Sequence, residues 1–268
     1  MASRNGLNPK IRGPKGVGFG RALPAPFSFG KGITPPGTSG SNLLITSLIG
    51  KTWPLEGCIE LWTNIVDQRA QREFEVSFND GTKLRVTAYF AAEPFLEITG
   101  RGQIGAARPN GTYVNGTKYH FAFMWDATNS YAWGNALIPN TMSPGSSAVI
   151  PINSNVNLPI TGAALCGQID GGSCSTTKMD EVRIYNRKLS IDELVLNDNG
   201  GYGNNPATTE NLFGWYQFEK FETLDFSPLQ DNSDLRLGIR DFSGKHNHAQ
   251  VFSMDTNPAS PTYVLKPF

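Results

Sequence analysis

Apolar and polar residues alternate with a period of two in several short stretches of this chain. The clearest is 72–78, where Phe74 and Val76 are separated by charged or polar residues. Because successive side chains of a strand point to opposite faces, this alternation predicts a strand with one buried face. An Asp-Gly turn within 79–82 leads into a second alternating run, 83–90, so the two runs are predicted to form a hairpin.

Similar short runs recur along the chain, separated by turn residues. They lie at 42–46, 58–64, 95–99, 118–125, 130–135 and 179–185. The 29 glycines and 18 prolines supply the turns, and no apolar run approaches the roughly 18 residues of a membrane-spanning helix. Short strands with frequent turns predict an all-β fold, an antiparallel β-sandwich.

The periodicity changes near Leu189. The run 179–185 alternates as a strand does, whereas Ser190 and Glu193 have the spacing of a capping box and predict a short helix. The stretch D-E-V-R-I-Y-N-R-K-L-S-I-D-E-L, residues 180–194, resembles the closing strand of laminin-G-like (concanavalin A-like) domains. The resemblance implies a jelly-roll sandwich, and it implies no single function, since that fold hosts lectins, glycosidases, adhesins and virion proteins.

A second resemblance lies after this closing strand. The run Phe213–Phe218 and the turn D-F-S-G-K-H-N-H-A, residues 241–249, resemble the blocks that normally open such domains. We therefore expect one circularly permuted sandwich over 42–268, with its opening strands supplied by 212–252. In that arrangement Phe213–Phe218 lies in the sheet that holds Met179–Tyr185. A truncated second copy of the domain is the alternative.

The segment 1–41 is rich in glycine and proline and is predicted to be an extended, irregular N-terminal arm. Charge is distributed unevenly, because residues 1–55 contain seven basic and no acidic residues while the rest has a net charge of −7. Such an arm either binds an acidic partner or is a solvated tail. The residues predicted to bind a partner are Arg4, Lys10, Arg12, Lys15 and Arg21.

No catalytic set is evident among the carboxylates. Glucanases of the resembling fold carry a motif close to E-x-D-x-x-E, which sets two carboxyl groups about 5 Å apart on one face. The nearest pair here is Glu73 and Glu75, which we expect on a solvated outer face. Asp180 and Glu181 are strand neighbours, so they are expected to point to opposite faces. The sequence therefore predicts a protein that is not an enzyme.

The histidines and asparagines give weak metal signals. His120 lies within an aromatic strand and is predicted to be structural. His246 and His248 share a face of a turn, but no third ligand is indicated. We predict no cofactor, and a calcium ion at 197–201 is an alternative that the sequence leaves open.

Three cysteines, Cys58, Cys166 and Cys174, cannot all pair. Cys166 and Cys174 are close enough in sequence to bridge a loop. The N-terminus lacks the apolar core of a secretion signal, so free thiols and synthesis without export are the expectation.

Aromatic residues offer the best candidates for ligand binding. Trp125 and Trp133 flank the turn 126–130, and Tyr131 follows it directly. If these rings are partly exposed, they can stack on sugars, as aromatic rings do in lectins of the resembling fold. Packing into the core is the alternative for each.

These features together predict a non-enzymatic structural or interaction protein. A sandwich with a basic arm and no catalytic set resembles virion accessory proteins of bacteriophages, such as capsid decoration or fibre-associated proteins. This implies synthesis in the host cytoplasm, location in the virion, and capsid or tail proteins as partners. A carbohydrate-binding module or adhesin is the first alternative and a glycoside hydrolase the second. No motif for nucleic acid or a membrane is present.

Overall fold

The computed structural model describes residues 27–64, 71–88, 95–100, 102–105, 116–136, 157–173 and 175–268. These residues form strands, one α-helix, α1 (Ile191–Asp198), and short 3-10 turns at Thr46–Leu48 and Asn199–Gly201. The strands are β1 (Lys31–Ile33), β2 (Asn42–Leu44), β3 (Gly57–Asn64), β4 (Gln71–Phe78), β5 (Lys83–Ala88), β6 (Phe95–Ile98), β7 (Gly102–Gly105), β8 (Lys118–Trp125), β9 (Ser130–Ala136), β10 (Ile160–Leu165), β11 (Lys178–Tyr185), β12 (Leu212–Tyr216), β13 (Glu222–Asp225), β14 (Leu235–Ile239), β15 (Ala249–Phe252) and β16 (Leu265–Pro267).

The strands form two antiparallel sheets. One has seven strands in the order β16-β1-β11-β3-β8-β9, with β12 also paired to β11. The other has nine, in the order β13-β14-β15-β2-β10-β4-β5-β6-β7. The predicted all-β antiparallel sandwich is therefore confirmed. No helix in the described part of the chain is long and apolar enough to span a membrane.

The main core lies between the two sheets. Alternate residues of β3, β4 and β8 point into it, including Leu61, Phe74 and Phe123, all of which are buried. Gly57 gives Trp125 room in this core, because a Cβ atom at residue 57 would lie 2.1 Å from the indole ring. The alternation along 72–78 thus corresponds to a strand with one apolar face, as predicted.

Strand β1 lies within the segment that was predicted to be an irregular arm. Strand β1 lies between β16 and β11, with Lys31 opposite Pro267 and Ile33 opposite Met179. Ile33 is fully buried. The boundary predicted at residue 41 is therefore placed too far along the chain, because a three-residue strand is too short to show a period. The basic residues Arg4, Lys10, Arg12, Lys15 and Arg21 lie outside the described residues.

The segment 212–252 completes the same sandwich. Strand β12 pairs with β11, with Val182 opposite Tyr216 and Ile184 opposite Gly214. Strand β15 pairs with β2 in the other sheet. The predicted place of Phe213–Phe218, in the sheet that holds the closing strand, is confirmed, and the structure adds that the two strands are direct neighbours. Because this segment adds strands to both sheets, it does not form a separate second copy.

Helix α1 covers the outer face of the seven-stranded sheet. Ser190 Oγ accepts a hydrogen bond from the Glu193 N–H, and Glu193 Oε2 accepts one from the Ser190 N–H, so the predicted capping box is present. Leu194 packs into a second, smaller apolar cluster with Tyr185 and Trp133. This face of the sheet is therefore buried although it is the face opposite the main core.

Candidate functional site

A cleft opens where three segments of the chain meet: 46–51, the loop 225–236 and the turn 245–246. Its volume is about 500 Å³, within the range of sites that hold small ligands. Ile49, Phe226 and Pro228 form an apolar part of its wall, and polar or charged side chains line the rest. We refer to it as the 225–246 cleft.

Two similar turns are built on the tripeptide Asp-Phe-Ser, at 225–227 and 241–243, and the first of them lines this cleft. Asp225 Oδ1 accepts hydrogen bonds from the Ser227 N–H at 2.9 Å and from its hydroxyl at 2.6 Å. Asp241 accepts the corresponding bonds from the Ser243 N–H at 2.8 Å and its hydroxyl at 2.7 Å. Aspartate favours such turns because its short side chain reaches the backbone two residues ahead.

Asn247 ties the cleft to the sandwich. Its Nδ2 donates to the Phe213 carbonyl at 2.6 Å, and its backbone N–H donates to Asp241 Oδ2 at 2.9 Å. Its Oδ1 accepts from Lys51 Nζ at 2.8 Å and from Ser47 Oγ at 3.2 Å. One buried amide thus joins the segment 46–51, strand β12 and the turn after β14, and so fixes the position of Lys51.

The two carboxylates that line the cleft are both engaged by the protein. Asp234 Oδ1 lies 2.5 Å from Arg236 Nε. Asp225 accepts hydrogen bonds from its own loop, which lower its pKa, the Ser227 hydroxyl contributing most. Burial lowers the pKa of Lys51, and the nearby charge of Asp241 partly offsets this. Lys245 has no carboxylate partner in the described part of the chain.

Glu73 and Glu75 are not on a solvated face, so that prediction is wrong. They are 1% and 0% exposed, because residues 168–173 and 175–177 cover this part of the nine-stranded sheet. Glu73 Oε1 accepts a hydrogen bond from Ser175 Oγ at 3.0 Å, and burial raises the Glu73 pKa to about 8. Glu75 Oε2 accepts from Arg85 Nε at 2.7 Å. The pair faces protein and not an open substrate site.

A buried charge network lies beneath α1. Arg183 Nη1 is 2.9 Å from Glu60 Oε1, and Arg183 Nη2 is 2.7 Å from Glu181 Oε2. The two His120 nitrogens lie 3.4 Å from Glu60 Oε2 and 3.3 Å from Asp198 Oδ1. Burial opposes the charge of Glu60, but Arg183 and His120 outweigh it and hold the Glu60 pKa at about 2. Burial also opposes the charge of His120, yet its two carboxylate partners raise its pKa.

This network is structural, and the prediction for His120 is confirmed. Glu181 has a left-handed backbone, φ +50°, at a bulge that breaks the regular alternation of β11. Its carboxylate also accepts from Trp215 Nε1 at 2.8 Å and Gln217 Nε2 at 2.9 Å. Asp180 Oδ1 accepts from the Glu181 N–H, and burial raises the Asp180 pKa. The two carboxylates thus form separate contacts.

The candidate metal ligands are used within the protein. Asn197 Nδ2 lies 3.0 Å from both carboxylate oxygens of Glu60, and Asn199 has a left-handed backbone as the C-cap of α1. Asn197 Oδ1 accepts the Ala207 N–H at 2.6 Å, and Asp198 Oδ1 lies 3.3 Å from His120 Nδ1, so both side chains already have partners within the protein. The calcium alternative at 197–201 stays a prediction. His248 Nδ1 accepts the Asp241 N–H at 3.1 Å. No group of three or more metal-binding side chains occurs among the residues that the structure describes.

The cysteines also lie away from the cleft. Cys58 belongs to the small cluster under α1, and burial raises its pKa. Cys166 is buried in the main core, and Cys174 lies outside the described residues. The expectation of free thiols, with a Cys166–Cys174 disulfide as the alternative, therefore stays a prediction.

The two predicted tryptophan platforms are buried. Trp125 is 1% exposed, stacks on Trp53 at 5.6 Å and donates from Nε1 to the Pro54 carbonyl. Trp133 is 4% exposed and lies edge-on to His120 at 5.0 Å. The condition of partial exposure is therefore met by neither tryptophan. Both pack inside the protein, which was the alternative, because Trp125 faces the main core and Trp133 lies in the cluster under α1.

Tyr131 is the one predicted aromatic that reaches the surface. Its hydroxyl donates to Asp126 Oδ2 at 2.9 Å, and Lys188 Nζ lies 4.2 Å from the centre of its ring. Asp126 also holds Lys188 at 3.0 Å. A ligand at Tyr131 therefore competes with Lys188 for one face of the ring.

Sequence reasoning did not find the 225–246 cleft. Its lining comes from segments that are far apart in the chain, and none of its residues belongs to a familiar catalytic motif. One usable signal was present: Asp-Phe-Ser occurs at 225–227 and again at 241–243. This repetition indicates two similar turns, and the first of them lines the cleft.

The described residues thus form a two-sheet antiparallel sandwich with one cleft described above. No protein-family model and no curated protein matches the chain. A solved structure from Bacteroides ovatus, named as a candidate carbohydrate-binding protein, is similar with a TM-score of 0.49 and 16% identity, over 87% of this chain and 62% of that one. A heptameric SAP-like pentraxin from Limulus polyphemus has a TM-score of 0.44 and 13% identity, over 60% of this chain and 78% of that one.

Domains LG4-5 of the mouse laminin α1 chain have a TM-score of 0.42 and 9% identity, over 63% of this chain and 45% of that one. The chain thus spans 62% of the length of the Bacteroides ovatus protein. At these values the comparisons describe a likeness in architecture and assign no activity to this chain.

Proposed function

We propose that this chain is a non-enzymatic carbohydrate-binding module whose ligand occupies the 225–246 cleft. The observation that carries the proposal is the lining of the cleft, which combines the apolar side chains of Ile49, Phe226 and Pro228 with polar and charged side chains. A sugar ring presents apolar C–H faces and hydroxyl groups together, so it requires both kinds of contact. The cleft volume of about 500 Å³ accommodates one or two such rings.

The apolar contact comes from Phe226 and Ile49. Ile49 is 53% exposed, which is high for a large aliphatic side chain. The polar contact comes from Gln230, whose amide makes no hydrogen bond within the described residues. An amide both donates and accepts, so it can pair with two neighbouring hydroxyl groups of a sugar.

The carboxylates of the cleft are unsuited to glycoside hydrolysis by paired acid and nucleophile. That reaction needs one carboxyl group with a raised pKa to protonate the leaving oxygen. Asp225 has a lowered pKa instead, and Asp234 is paired with Arg236. The cleft is therefore better suited to binding a sugar than to cleaving one.

The test is a glycan array followed by calorimetric titration of the bound glycans. We expect Gln230→Ala to weaken binding, because it removes the amide from the cleft. Tyr131→Ala serves as the matched control at the other candidate surface and is expected to bind as the native chain does. If Tyr131→Ala weakened binding and Gln230→Ala did not, the ligand would bind at Tyr131 instead of the cleft. No binding at millimolar concentrations of any glycan would refute the carbohydrate-binding function.

A second function concerns the basic N-terminal segment and is compatible with the first. Residues 1–55 contain seven basic and no acidic residues, which favours an acidic protein partner. We retain the proposal that the chain is a virion accessory protein that docks on capsid or tail proteins after synthesis in the host cytoplasm.

The matching experiment deletes residues 1–26 and measures incorporation into gradient-purified particles by immunoblotting. The deletion must stop before β1, because Lys31–Ile33 pairs with both β11 and β16. A full-length control replaces Arg4, Lys10, Arg12, Lys15 and Arg21 by glutamine. We expect both variants to fold and to lose incorporation, and unchanged incorporation of both would refute docking through this segment.

A further inference from the structure

The 225–246 cleft is lined by more positive than negative side chains. Lys51, Arg236 and Lys245 bring three cationic groups, and Asp225 and Asp234 bring two carboxylates. What matters for a ligand is which of these charges already has a partner. The protein's own contacts separate them into an engaged set and an open set.

The engaged set contains both carboxylates. Asp234 and Arg236 form an ion pair at 2.5 Å. Asp225 accepts the Ser227 N–H and hydroxyl through Oδ1 and the Asn232 N–H through Oδ2 at 2.8 Å. Asp225 thus uses both of its carboxylate oxygens for hydrogen bonds within its own loop.

The open set contains the two lysines. Neither Lys51 nor Lys245 has a carboxylate within ion-pair distance in the part of the chain that the structure describes. Lys51 Nζ donates one hydrogen bond, to the neutral Asn247 Oδ1, although an ammonium group carries three donors. Burial disfavours its charge, so an anion placed beside it restores what desolvation removed.

We infer that the cleft binds an acidic carbohydrate, whose carboxylate or sulfate group lies at the Lys51 and Lys245 side and whose ring lies against Phe226 and Ile49. This inference rests on the proposed carbohydrate-binding function and names the class of sugar. A free inorganic anion would satisfy the lysines but would leave the apolar wall and the Gln230 amide unused.

The experiment compares neutral, carboxylated and sulfated glycans that share the same backbones, first on an array and then by calorimetry. We expect the acidic members to bind roughly ten- to a hundredfold more tightly than their neutral counterparts, as charge-assisted hydrogen bonds imply. The advantage should shrink as salt increases. If only the carboxylated or only the sulfated glycans bind, the result identifies which acidic group the cleft recognises.

Lys245→Met keeps the aliphatic stem and removes the charge, so it should abolish most of the preference for acidic glycans. The matched control is Lys220→Met, since Lys220 is exposed and pairs with Glu222 outside the cleft; its binding should match that of the native chain. Circular dichroism of each variant confirms folding before titration.

Three results would refute the inference that the ligand is acidic. They differ in whether they also refute the carbohydrate-binding function. Equal binding of neutral and acidic partners, unaffected by Lys245→Met, refutes the acidic class and leaves carbohydrate binding intact. Equally tight binding of polyglutamate shows a charge attraction without sugar recognition. Binding of no glycan at all refutes the carbohydrate-binding function together with this inference.

Discussion

Replacing Glu73 by glutamine should make the protein more stable at high pH and leave it nearly unchanged at low pH. Glu73 is buried beneath residues 175–177, and burial raises its pKa from 4.5 to about 8. Glutamine has nearly the same volume and keeps an oxygen that can accept the Ser175 hydroxyl. The substitution therefore removes the titration without opening a cavity.

The sign follows from where the proton is bound. In the folded state Glu73 keeps its proton up to about pH 8, whereas in the unfolded state it loses it near 4.5. Its contribution to stability is thus fully present below pH 4.5 and is lost as the pH rises through 8. The difference between the two values corresponds to roughly 5 kcal/mol, which is an upper limit because local opening of the covering segment can expose the carboxylate at lower cost.

Urea denaturation at pH 5, 7 and 9 measures the effect, with the native chain and the variant compared at each pH. We expect the free energy of unfolding of Glu73→Gln to exceed that of the native chain by an amount that grows with pH. Other titrating groups cancel in this difference. The matched control is Glu75→Gln, which removes a carboxylate that accepts from Arg85 and Lys83 and should therefore destabilise. A difference that is constant with pH, or a variant less stable at pH 9, would refute the reasoning.

Three further predictions concern parts of the fold. Trp125→Ala removes a fully buried ring and should lower the free energy of unfolding by about 3–5 kcal/mol in urea titrations; a loss below about 1 kcal/mol would contradict its place in the core. Arg183→Met leaves two buried carboxylates without their cation and should cost about 3–5 kcal/mol by thermal denaturation, and an unchanged Tm would argue against the network. Ser190→Ala removes the N-cap of α1 and should cost about 1 kcal/mol, with faster amide exchange confined to 191–198; unaltered exchange would contradict the capping box.

The elements that could be predicted are those whose cause is local. The alternation along 72–78 and the capping box of Ser190 and Glu193 depend on residues a few positions apart, so both can be read from the sequence. The place of 213–218 in the same sheet as β11 was predicted from a resemblance in motif order, whereas their direct pairing was not. Strand β1 was missed because three residues between glycines and prolines show no periodicity.

Burial of the outer faces could not be predicted, because it depends on distant segments. Glu73 lies on the polar face of an alternating strand, and only the covering segment near Ser175 makes that face dry. Trp133 similarly depends on α1, which follows it by more than fifty residues in the sequence. The 225–246 cleft has the same origin, since its parts meet only after both sheets have formed.

The pairing of β1 with β16 has a mechanical consequence. Lys31 lies opposite Pro267 and Ile33 lies opposite Leu265, so residue 27 and residue 268 emerge at the same end of this strand pair. Tension applied between those two points opens the pair from that end and breaks its hydrogen bonds one after another. Loaded in this way the sandwich should yield at low force, by unzipping, since no row of bonds is sheared at once. If the protein were attached to its surroundings through only one of these two ends, no tension would act across the β1–β16 pair.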